Sequence, residues 1–149
     1  MEIAIRKAVR DDVLDVFAIA NNKEARANSI NQSEIKFEDH KVWFNKKIYS
    51  DECVFFVVES RENHKIIAYI RYEKEGDDWV VSINLKDGFQ GMGLGTRIIK
   101  EASDKIRGNI TAVVREANIA SVKSFKKAGY SEISSVLIGN DNFLKLEYT

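Results

Sequence analysis

The chain has 149 residues, and its 23 Lys plus Arg balance 23 Asp plus Glu, so its formal net charge is zero. This length favours one domain over residues 1–149, and the balanced charge argues against a nucleic-acid-binding protein with a broad basic face. Because Cys53 is the single cysteine and no apolar run approaches the roughly 20 residues that span a bilayer, we expect a cytoplasmic protein without internal disulfides or membrane spans.

The first part of the chain predicts one strand followed by two helices. Apolar residues alternate over residues 3–9, which predicts a strand, and recur at helical spacing over residues 13–22 and 37–48, which predicts the helices. Residues 23–36, between the two helices, are polar and predict a connecting link.

The middle of the chain predicts three strands, a glycine-rich turn and a helix. Three runs rich in β-branched and aromatic residues predict strands joined by short turns, at residues 54–59, 66–72 and 79–85. Apolar residues then repeat every four positions from Leu94 to Ile106, which predicts a helix, and Gly108 follows where a C-cap belongs. Cys53 opens the first of the three strands, so we expect it to pack there and not to act as a nucleophile.

The C-terminal part predicts a strand, a helix and two closing strands, at residues 110–114, 119–128, 130–138 and 143–148. The whole order, β α α β β β α β α β β, indicates a mixed α/β (α+β) domain. Its central twisted sheet should be mostly antiparallel, with about seven strands and four flanking helices. Three successive strands have connections too short for parallel crossovers, which excludes a doubly wound nucleotide-binding fold.

The stretch Gln90-Gly91-Met92-Gly93-Leu94-Gly95 lies between a predicted strand and a predicted helix. Such a turn presents several backbone N–H groups in one direction, and a helix N-terminus adds roughly half a positive charge, which together suit a phosphate or pyrophosphate. The third glycine comes one residue too early for a dinucleotide fingerprint, and Thr96-Arg97 does not match the Lys-Ser/Thr of a P-loop.

This stretch resembles the acyl-CoA pyrophosphate loop of the GCN5-related N-acetyltransferase (GNAT) superfamily, whose pattern is Arg/Gln-x-x-Gly-x-Gly/Ala. Residues 118–130, which begin with Asn118 and end with Gly129-Tyr130, resemble the segment that lines the other side of the cofactor in that superfamily. The element order also agrees over the whole chain. The resemblance implies the GNAT fold, acetyl-CoA as acetyl donor, direct transfer to an amine, and no metal.

The same resemblance implies a set of acetyl-CoA-binding residues. Backbone amides of residues 91–96 would hold the pyrophosphate, and the strand ending at residues 83–85 would separate from its neighbour at a bulge and pair with the pantetheine amides. The N–H of Leu85 would stabilise the oxyanion. The implied set is Ile83, Leu85, Gln90, Gly91, Met92, Gly93, Leu94, Gly95, Thr96, Asn118, Ser121 and Phe125. Arg97, Lys123 and Lys126 are candidates for the ribose phosphate.

Catalysis needs a base for the attacking ammonium and an acid for the departing thiolate. Phe125 stands where many superfamily members have a tyrosine acid, so water or a helix N-terminus would serve, with Tyr130 as a weaker substitute. Candidates for the base are His40, Glu34, Asp87 and Glu116, with Asn84 or Tyr72 able to hold a water. His40 is the preferred base because of its pKa, although it could equally be an ordinary helix histidine beside Glu38 or Asp39.

Residues 26–44 carry a second, less specific resemblance. Arg26, Ser29 and Asn31, followed by His40 and Trp43-Phe44, resemble the superfamily branch that acetylates nucleotide-linked amino sugars in pseudaminic and legionaminic acid pathways. It implies that Arg26, Ser29, Asn31 and Asn84 bind the acceptor. Ser29 and Asn31 are also ordinary residues for a polar loop.

Three functions therefore remain open. The first is acetylation of a small-molecule amine, with a nucleotide sugar preferred. The others are acetylation of a protein N-terminus, of the ribosomal-protein type, and a non-catalytic acyl-CoA-binding module. We expect no nucleic-acid or membrane partner, and either a monomer or a homodimer.

Overall fold

The computed structural model describes all 149 residues, which form one seven-stranded sheet covered by helices on both faces. The strands are β1 Ile3–Lys7, β2 Cys53–Ser60, β3 Ile66–Glu75, β4 Asp78–Leu85, β5 Asn109–Arg115, β6 Tyr130–Ile138 and β7 Asp141–Tyr148. The helices are α1 Val13–Ala20, α2 Lys23–Asn28, α3 Phe37–Ile48, α4 Leu94–Ser103 and α5 Ile119–Lys127. The strand order is β1-β2-β3-β4-β5-β7-β6, and only β4 and β5 are parallel neighbours. The predicted fold class and the predicted set of strands are confirmed.

Two local predictions are wrong. The polar link at residues 23–36 contains the short helix α2, which begins after Asn22, whose side-chain oxygen accepts a hydrogen bond from the Ala25 N–H at 2.8 Å. Such a bond satisfies one of the free donors at a helix start. Helix α4 ends at Ser103, so Gly108 is not its C-cap. Gly108 instead has a φ of +120° just before β5, where an added Cβ would lie 3.4 Å from the Trp79 ring.

The sheet separates two apolar clusters. The larger cluster packs α4 and α5 against one face and includes Ile70 and Tyr72 of β3. The smaller cluster packs α1 and α3 against the other face and includes Phe44 and Tyr69. Because successive side chains of a strand point to opposite faces, β3 contributes to both clusters. Each fully buried large apolar side chain contributes about 1.5–3 kcal/mol to stability.

None of the helices combines the length and the apolar character that a transmembrane segment requires.

Candidate active site

The candidate site is a gap in the middle of the sheet, where β4 and β5 separate. The two parallel strands pair only as far as Val81 and Ala112, although β4 continues to Leu85 and β5 to Arg115. The separation that the sequence predicted is confirmed. The bulge that should have produced it is absent from the β3–β4 ladder, because β4 keeps one unbroken register with β3. The end of the β4–β5 pairing alone therefore opens the gap.

Backbone groups at the end of β4 point into this gap. The Lys86 N–H donates to the Ile67 carbonyl at 2.7 Å. Since hydrogen-bonded and non-hydrogen-bonded pairs alternate along an antiparallel ladder, Ile83 and Leu85 direct their N–H and C=O groups away from β3. The Leu85 carbonyl accepts a hydrogen bond from the Asn22 side-chain amide at 3.0 Å. The Leu85 N–H therefore faces the gap without a partner in the sheet.

The glycine-rich turn after β4 is braced by Gln90. Its side-chain oxygen accepts from the Gly88 N–H at 3.0 Å, and its side-chain nitrogen donates to the Leu85 carbonyl at 3.3 Å. Gly91 and Gly93 have φ values of +75° and +77°, which other residues adopt only with strain. An added Cβ at either position would meet nothing within 4 Å, so backbone conformation is what requires glycine here.

The N-terminus of α4 presents free backbone donors to the cavity. No side chain caps this helix at Gly93, and the Arg97 N–H donates to the Gly93 carbonyl at 3.4 Å. The N–H groups of residues 94–96 consequently have no intrahelical partner. Together with the helix dipole they suit a phosphate group. At Gly95 the need for glycine is spatial, because an added Cβ would lie 3.4 Å from the Ser124 hydroxyl oxygen.

One cavity of about 770 Å³ passes through the gap and has two halves. The half on the α4–α5 face of the sheet, called here the α4 half, includes Ile83, Leu85, Gly95, Thr96, Ser121 and Phe125 in its lining. The half on the α1–α3 face, called the α3 half, includes Arg26, Ser29, His40, Trp43, Arg71 and Asn84. A group held in one half can therefore meet a group held in the other at the end of β4.

Most of the residues predicted to bind acetyl-CoA line this cavity. The exceptions are Met92 and Leu94: the Met92 side chain is 57 % exposed, and the Leu94 side chain is buried in the larger apolar cluster. Asn118 lines the cavity but also caps α5, since its side-chain oxygen accepts from the Ser121 N–H at 3.3 Å. Only its amide nitrogen remains free for another partner.

Phe125 and Tyr130 pack against each other in the core, with ring centroids 5.0 Å apart. The Phe125 ring lines the cavity and has no proton to donate. The Tyr130 hydroxyl is buried away from the cavity lining in a chain with Ser103 and Tyr72, at 2.8 and 3.0 Å. Burial raises the pKa of Tyr130 above its ordinary value. Tyr130 is therefore not placed to replace the missing tyrosine acid.

Of the three basic residues considered for the ribose phosphate, only Lys123 lines the cavity. The Arg97 guanidinium donates to the Met1 carbonyl at 2.7 Å, and Lys126 lies 3.6 Å from Glu132. Lys127, which the sequence analysis missed, also lines the cavity. Its spacing of four from Lys123 was a usable signal, because residues four apart share a helix face.

The loop residues predicted to bind the acceptor line the α3 half, but their polar groups bind one another. The Arg26 guanidinium makes four hydrogen bonds of 2.9 to 3.1 Å. Their acceptors are the carbonyl oxygens of Ala20, Asn31 and Ser33 and the hydroxyl of Ser29. Ser29 donates in turn to the Ala25 carbonyl at 2.7 Å, and the Asn31 side chain accepts from the Ser33 N–H at 3.0 Å. These residues therefore shape the loop, and few of their donors remain for a ligand.

His40 is 2 % exposed and lies among the rings of Phe17, Trp43 and Phe44, at centroid distances of 5.2 to 5.9 Å. Burial lowers its pKa, and the backbone of Val13 acts more weakly in the opposite direction. The imidazole is therefore neutral near pH 7. Its Nε2 atom has no hydrogen-bond partner in the protein. The alternative of a surface histidine beside a carboxylate is excluded by this burial.

The other candidate bases lie outside the cavity lining. Glu34, Asp87 and Glu116 are exposed and do not line the cavity. Glu116 is therefore not placed to act there, which corrects its selection as a catalytic residue. Tyr72 is buried behind the larger cluster and is not part of the lining either.

The α3 half contains polar residues that the sequence analysis did not select. Arg71 lies on β3 with its guanidinium carbon 5.1 Å from the centre of the Trp43 ring. Ser82 lies opposite Arg71 on β4. Asn84, which was selected, donates to the Tyr69 hydroxyl at 2.8 Å. These residues are far apart in the sequence, and only the pairing of β3 with β4 brings them together.

Cys53 is half-buried and does not line the cavity. Burial and the charge of Glu73 raise the pKa of its thiol to about 11. A neutral thiol is a poor nucleophile, which agrees with the packing role expected for it. The structure contains no group of three or more His, Cys, Asp or Glu side chains that could hold a metal ion.

Comparison with protein families gives one match. Residues 16–130 match the model of the family described as "Acetyltransferase (GNAT) family". No curated protein sequence matches the chain.

Many solved structures share the fold. One is AAC(6')-Ib in complex with ribostamycin and coenzyme A, at 13 % identity and a TM-score of 0.84, covering 100 % of this chain and 94 % of that chain. Another is the spermidine N-acetyltransferase of Vibrio cholerae with CoA and spermine, at 18 % identity and a TM-score of 0.85, covering 97 % and 94 %. At these identities the likeness establishes the fold alone.

Proposed function

This chain belongs to the acetyltransferase (GNAT) family, and we propose that it transfers the acetyl group of acetyl-CoA directly to a primary amine of a small molecule. The observation that supports this best is the gap between β4 and β5, with unpaired backbone groups of Leu85 on one side and the uncapped N-terminus of α4 beside it. An amide-containing chain ending in a pyrophosphate finds both kinds of partner there.

The residues of the α4 half fit this donor. Acetyl-CoA supplies an acetyl group activated as a thioester. The N–H groups of residues 94–96 suit its pyrophosphate, and Lys123 and Lys127 add positive charge for further phosphate. Ile83 and Leu85 offer backbone groups to the pantetheine amides. The Leu85 N–H is the donor we assign to the carbonyl oxygen on which negative charge develops.

The proton of the attacking amine needs an acceptor, and we assign this role to His40. Its depressed pKa keeps the imidazole neutral, and Nε2 has no partner in the protein. Among the candidate bases from the sequence, only His40 lines the cavity. No tyrosine stands ready to protonate the departing thiolate, because Phe125 occupies that place. A thiolate is a good leaving group, so water suffices in this proposal.

Among small amines, a nucleotide-linked amino sugar is the finer proposal for the acceptor. The cavity lining carries five basic side chains against two acidic ones, Glu24 and Asp39. This excess of positive charge favours an acceptor that bears phosphate. Support from Arg26, Ser29 and Asn31 is weak, because those side chains are engaged within the loop.

The proposal is tested by two measurements on the purified protein. Calorimetric titration with CoA measures donor binding. Thiol release from acetyl-CoA, with mass spectrometry of the acceptor, measures transfer to UDP-4-amino sugars, polyamines and N-terminal peptides. We expect CoA binding and acetylation of a small amine. The proposal fails if CoA does not bind, or if CoA binds and no amine is acetylated, which would indicate a non-catalytic acyl-CoA module. Preference for peptides would indicate a protein acetyltransferase.

A further inference from the structure

We infer that the acceptor carries an anionic group, a carboxylate or a phosphate, and that Arg71 binds it. This inference rests on the proposed function, in which an amine acceptor occupies the α3 half of the cavity. It assigns a role to a residue for which no other part of the fold accounts.

The position of Arg71 is set by the sheet and by α3. Its neighbour Tyr69, two residues away on β3, points to the α1–α3 face, so the Arg71 side chain points there too. The guanidinium lies over Trp43, 5.1 Å from the ring centre, and a cation in such a position is attracted to the ring face. The Arg71 side chain is 23 % exposed and lines the cavity. Trp43 therefore holds a cation at the wall of the α3 half.

Arg71 makes no hydrogen bond to the protein that meets normal geometry, and its Nε atom is buried without a partner. The other two arginines of the cavity differ. Arg26 makes four hydrogen bonds within its loop. Arg115 donates to Asp141 and to the Ser29 carbonyl, at 2.7 and 2.8 Å. Because buried donors are nearly always paired, the free N–H groups of Arg71 point to a partner that comes with the ligand.

Neighbouring charges do not neutralise this site. Glu73 lies 2.8 Å from an Arg71 nitrogen, but the same carboxylate oxygen lies 3.1 Å from the Lys47 ammonium. Two cations thus share one anion, and the group keeps one net positive charge. A guanidinium with free N–H groups binds carboxylate and phosphate through paired hydrogen bonds.

The spacing between Arg71 and the reacting end of the gap limits the acceptor. Ser82 lies opposite Arg71, and Asn84 lies two residues further along β4, beside Leu85. Two residues along a strand cover about 7 Å. An amine near Asn84 and an anion near Arg71 would therefore belong to a compact molecule, such as an amino acid or a phosphorylated amino sugar. A polyamine would place a second cation against Arg71, which is unfavourable.

Matched acceptor pairs test the inference by steady-state kinetics. Free amino acids are compared with their methyl esters, and amino-sugar phosphates with the unphosphorylated amino sugars; spermidine is a polycation control. We expect kcat/KM to be at least tenfold higher for the anionic member of one pair, and that pair identifies the source of the anion. Arg71→Gln should abolish this preference through KM while leaving the neutral member within about twofold, and Arg71→Lys should retain part of it.

The inference is overturned if both members of each pair react equally, if spermidine is the best acceptor, or if Arg71→Gln slows the anionic and neutral members alike. A second readout does not depend on turnover. In a Trp79→Phe background, Trp43 is the single tryptophan, and titration with inorganic phosphate or acetate should change its fluorescence. Arg71→Gln should remove that change, whereas Lys74→Gln, on the same strand and outside the cavity lining, should not.

These readouts separate the two possible failures. Absence of thiol release with every amine, while phosphate or acetate still changes Trp43 fluorescence through Arg71, would refute the proposed function and leave the anion site standing. Acetylation of amines without any anion-dependent change at Trp43 would refute the anion site and leave the proposed function standing.

Discussion

The side-chain amide of Asn84 donates a hydrogen bond of 2.8 Å to the hydroxyl of Tyr69, which lies directly opposite on β3. Tyr69 is 3 % exposed, and burial raises the pKa of its hydroxyl. The bond therefore ties the buried aromatic cluster under α3 to the end of β4, where the backbone groups of Leu85 face the gap. A change in one residue of the pair should be felt by both the core and the site.

Asn84→Ala should lower the free energy of unfolding by about 1–3 kcal/mol, because it leaves the Tyr69 hydroxyl buried without a partner. Tyr69→Phe should cost less, since the Asn84 amide faces the cavity and can bind water there. Urea denaturation of both variants and of the double variant measures the difference. A greater loss from Tyr69→Phe than from Asn84→Ala would contradict this account of the pair.

Gly93→Ala should weaken CoA binding. The φ of +77° makes alanine unfavourable by about 1–2 kcal/mol, and relaxation of the turn would redirect the N–H groups at the start of α4. Gly139→Ala is the matched control, because Gly139 has a φ of +62° in the β6–β7 turn, outside the cavity lining. We expect similar losses of stability from both changes but a raised Kd for CoA from Gly93→Ala alone, measured by calorimetry. An equal effect on Kd would show that the turn acts only through global stability.

Arg26→Lys should destabilise the loop that forms one wall of the α3 half. A lysine ammonium cannot reproduce the fork that reaches three backbone carbonyls and Ser29. Loss of these charge-assisted bonds should cost about 2 kcal/mol in the free energy of unfolding. Hydrogen exchange should quicken in residues 29–33 more than elsewhere. If Arg26→Lys instead left stability unchanged and only raised KM for the acceptor, Arg26 would be a direct binding residue.

The α4 half of the site was predictable from the sequence because its chemistry is local. A strand, a turn with Gly91 and Gly93, and a helix start are contiguous in the chain, and the groups that face the cavity there belong to the backbone. Predicting the elements was therefore nearly enough to place them. The failures in this half concern side-chain direction, as at Met92, which is exposed, and Arg97, which reaches Met1.

The α3 half was not predictable in the same way, because its polar residues meet through the register between strands. Arg71 faces Ser82, and Tyr69 faces Asn84, only because β3 and β4 pair in one register. Arg26 shows the opposite difficulty: its sequence context suggested a ligand, while its side chain reaches backbone carbonyls up to seven residues away. No periodicity in a single sequence distinguishes an arginine that binds its own loop from one that is free.

His40 should make the stability of the folded chain depend on pH. Burial lowers its pKa in the folded state below the ordinary value of about 6.5 that applies to the unfolded chain. Between these two pKa values the unfolded state binds more protons, so the free energy of unfolding rises with pH there. The stability is therefore fully present above about pH 6.5 and is lost as the pH falls toward the folded pKa, by at most about 1.4 kcal/mol per pH unit from this group.

Urea denaturation at pH 7.5 and 5.5 measures this loss, with His40→Phe as the test variant and His64→Gln as the control. Phenylalanine keeps an aromatic ring among Phe17, Trp43 and Phe44, so the core should remain packed. The His64 side chain is 80 % exposed and should contribute little. We expect the difference between the two pH values to shrink in His40→Phe and to persist in His64→Gln. An unchanged difference in His40→Phe would mean that carboxylates dominate the acid sensitivity, and that the buried imidazole is not the group that resists protonation.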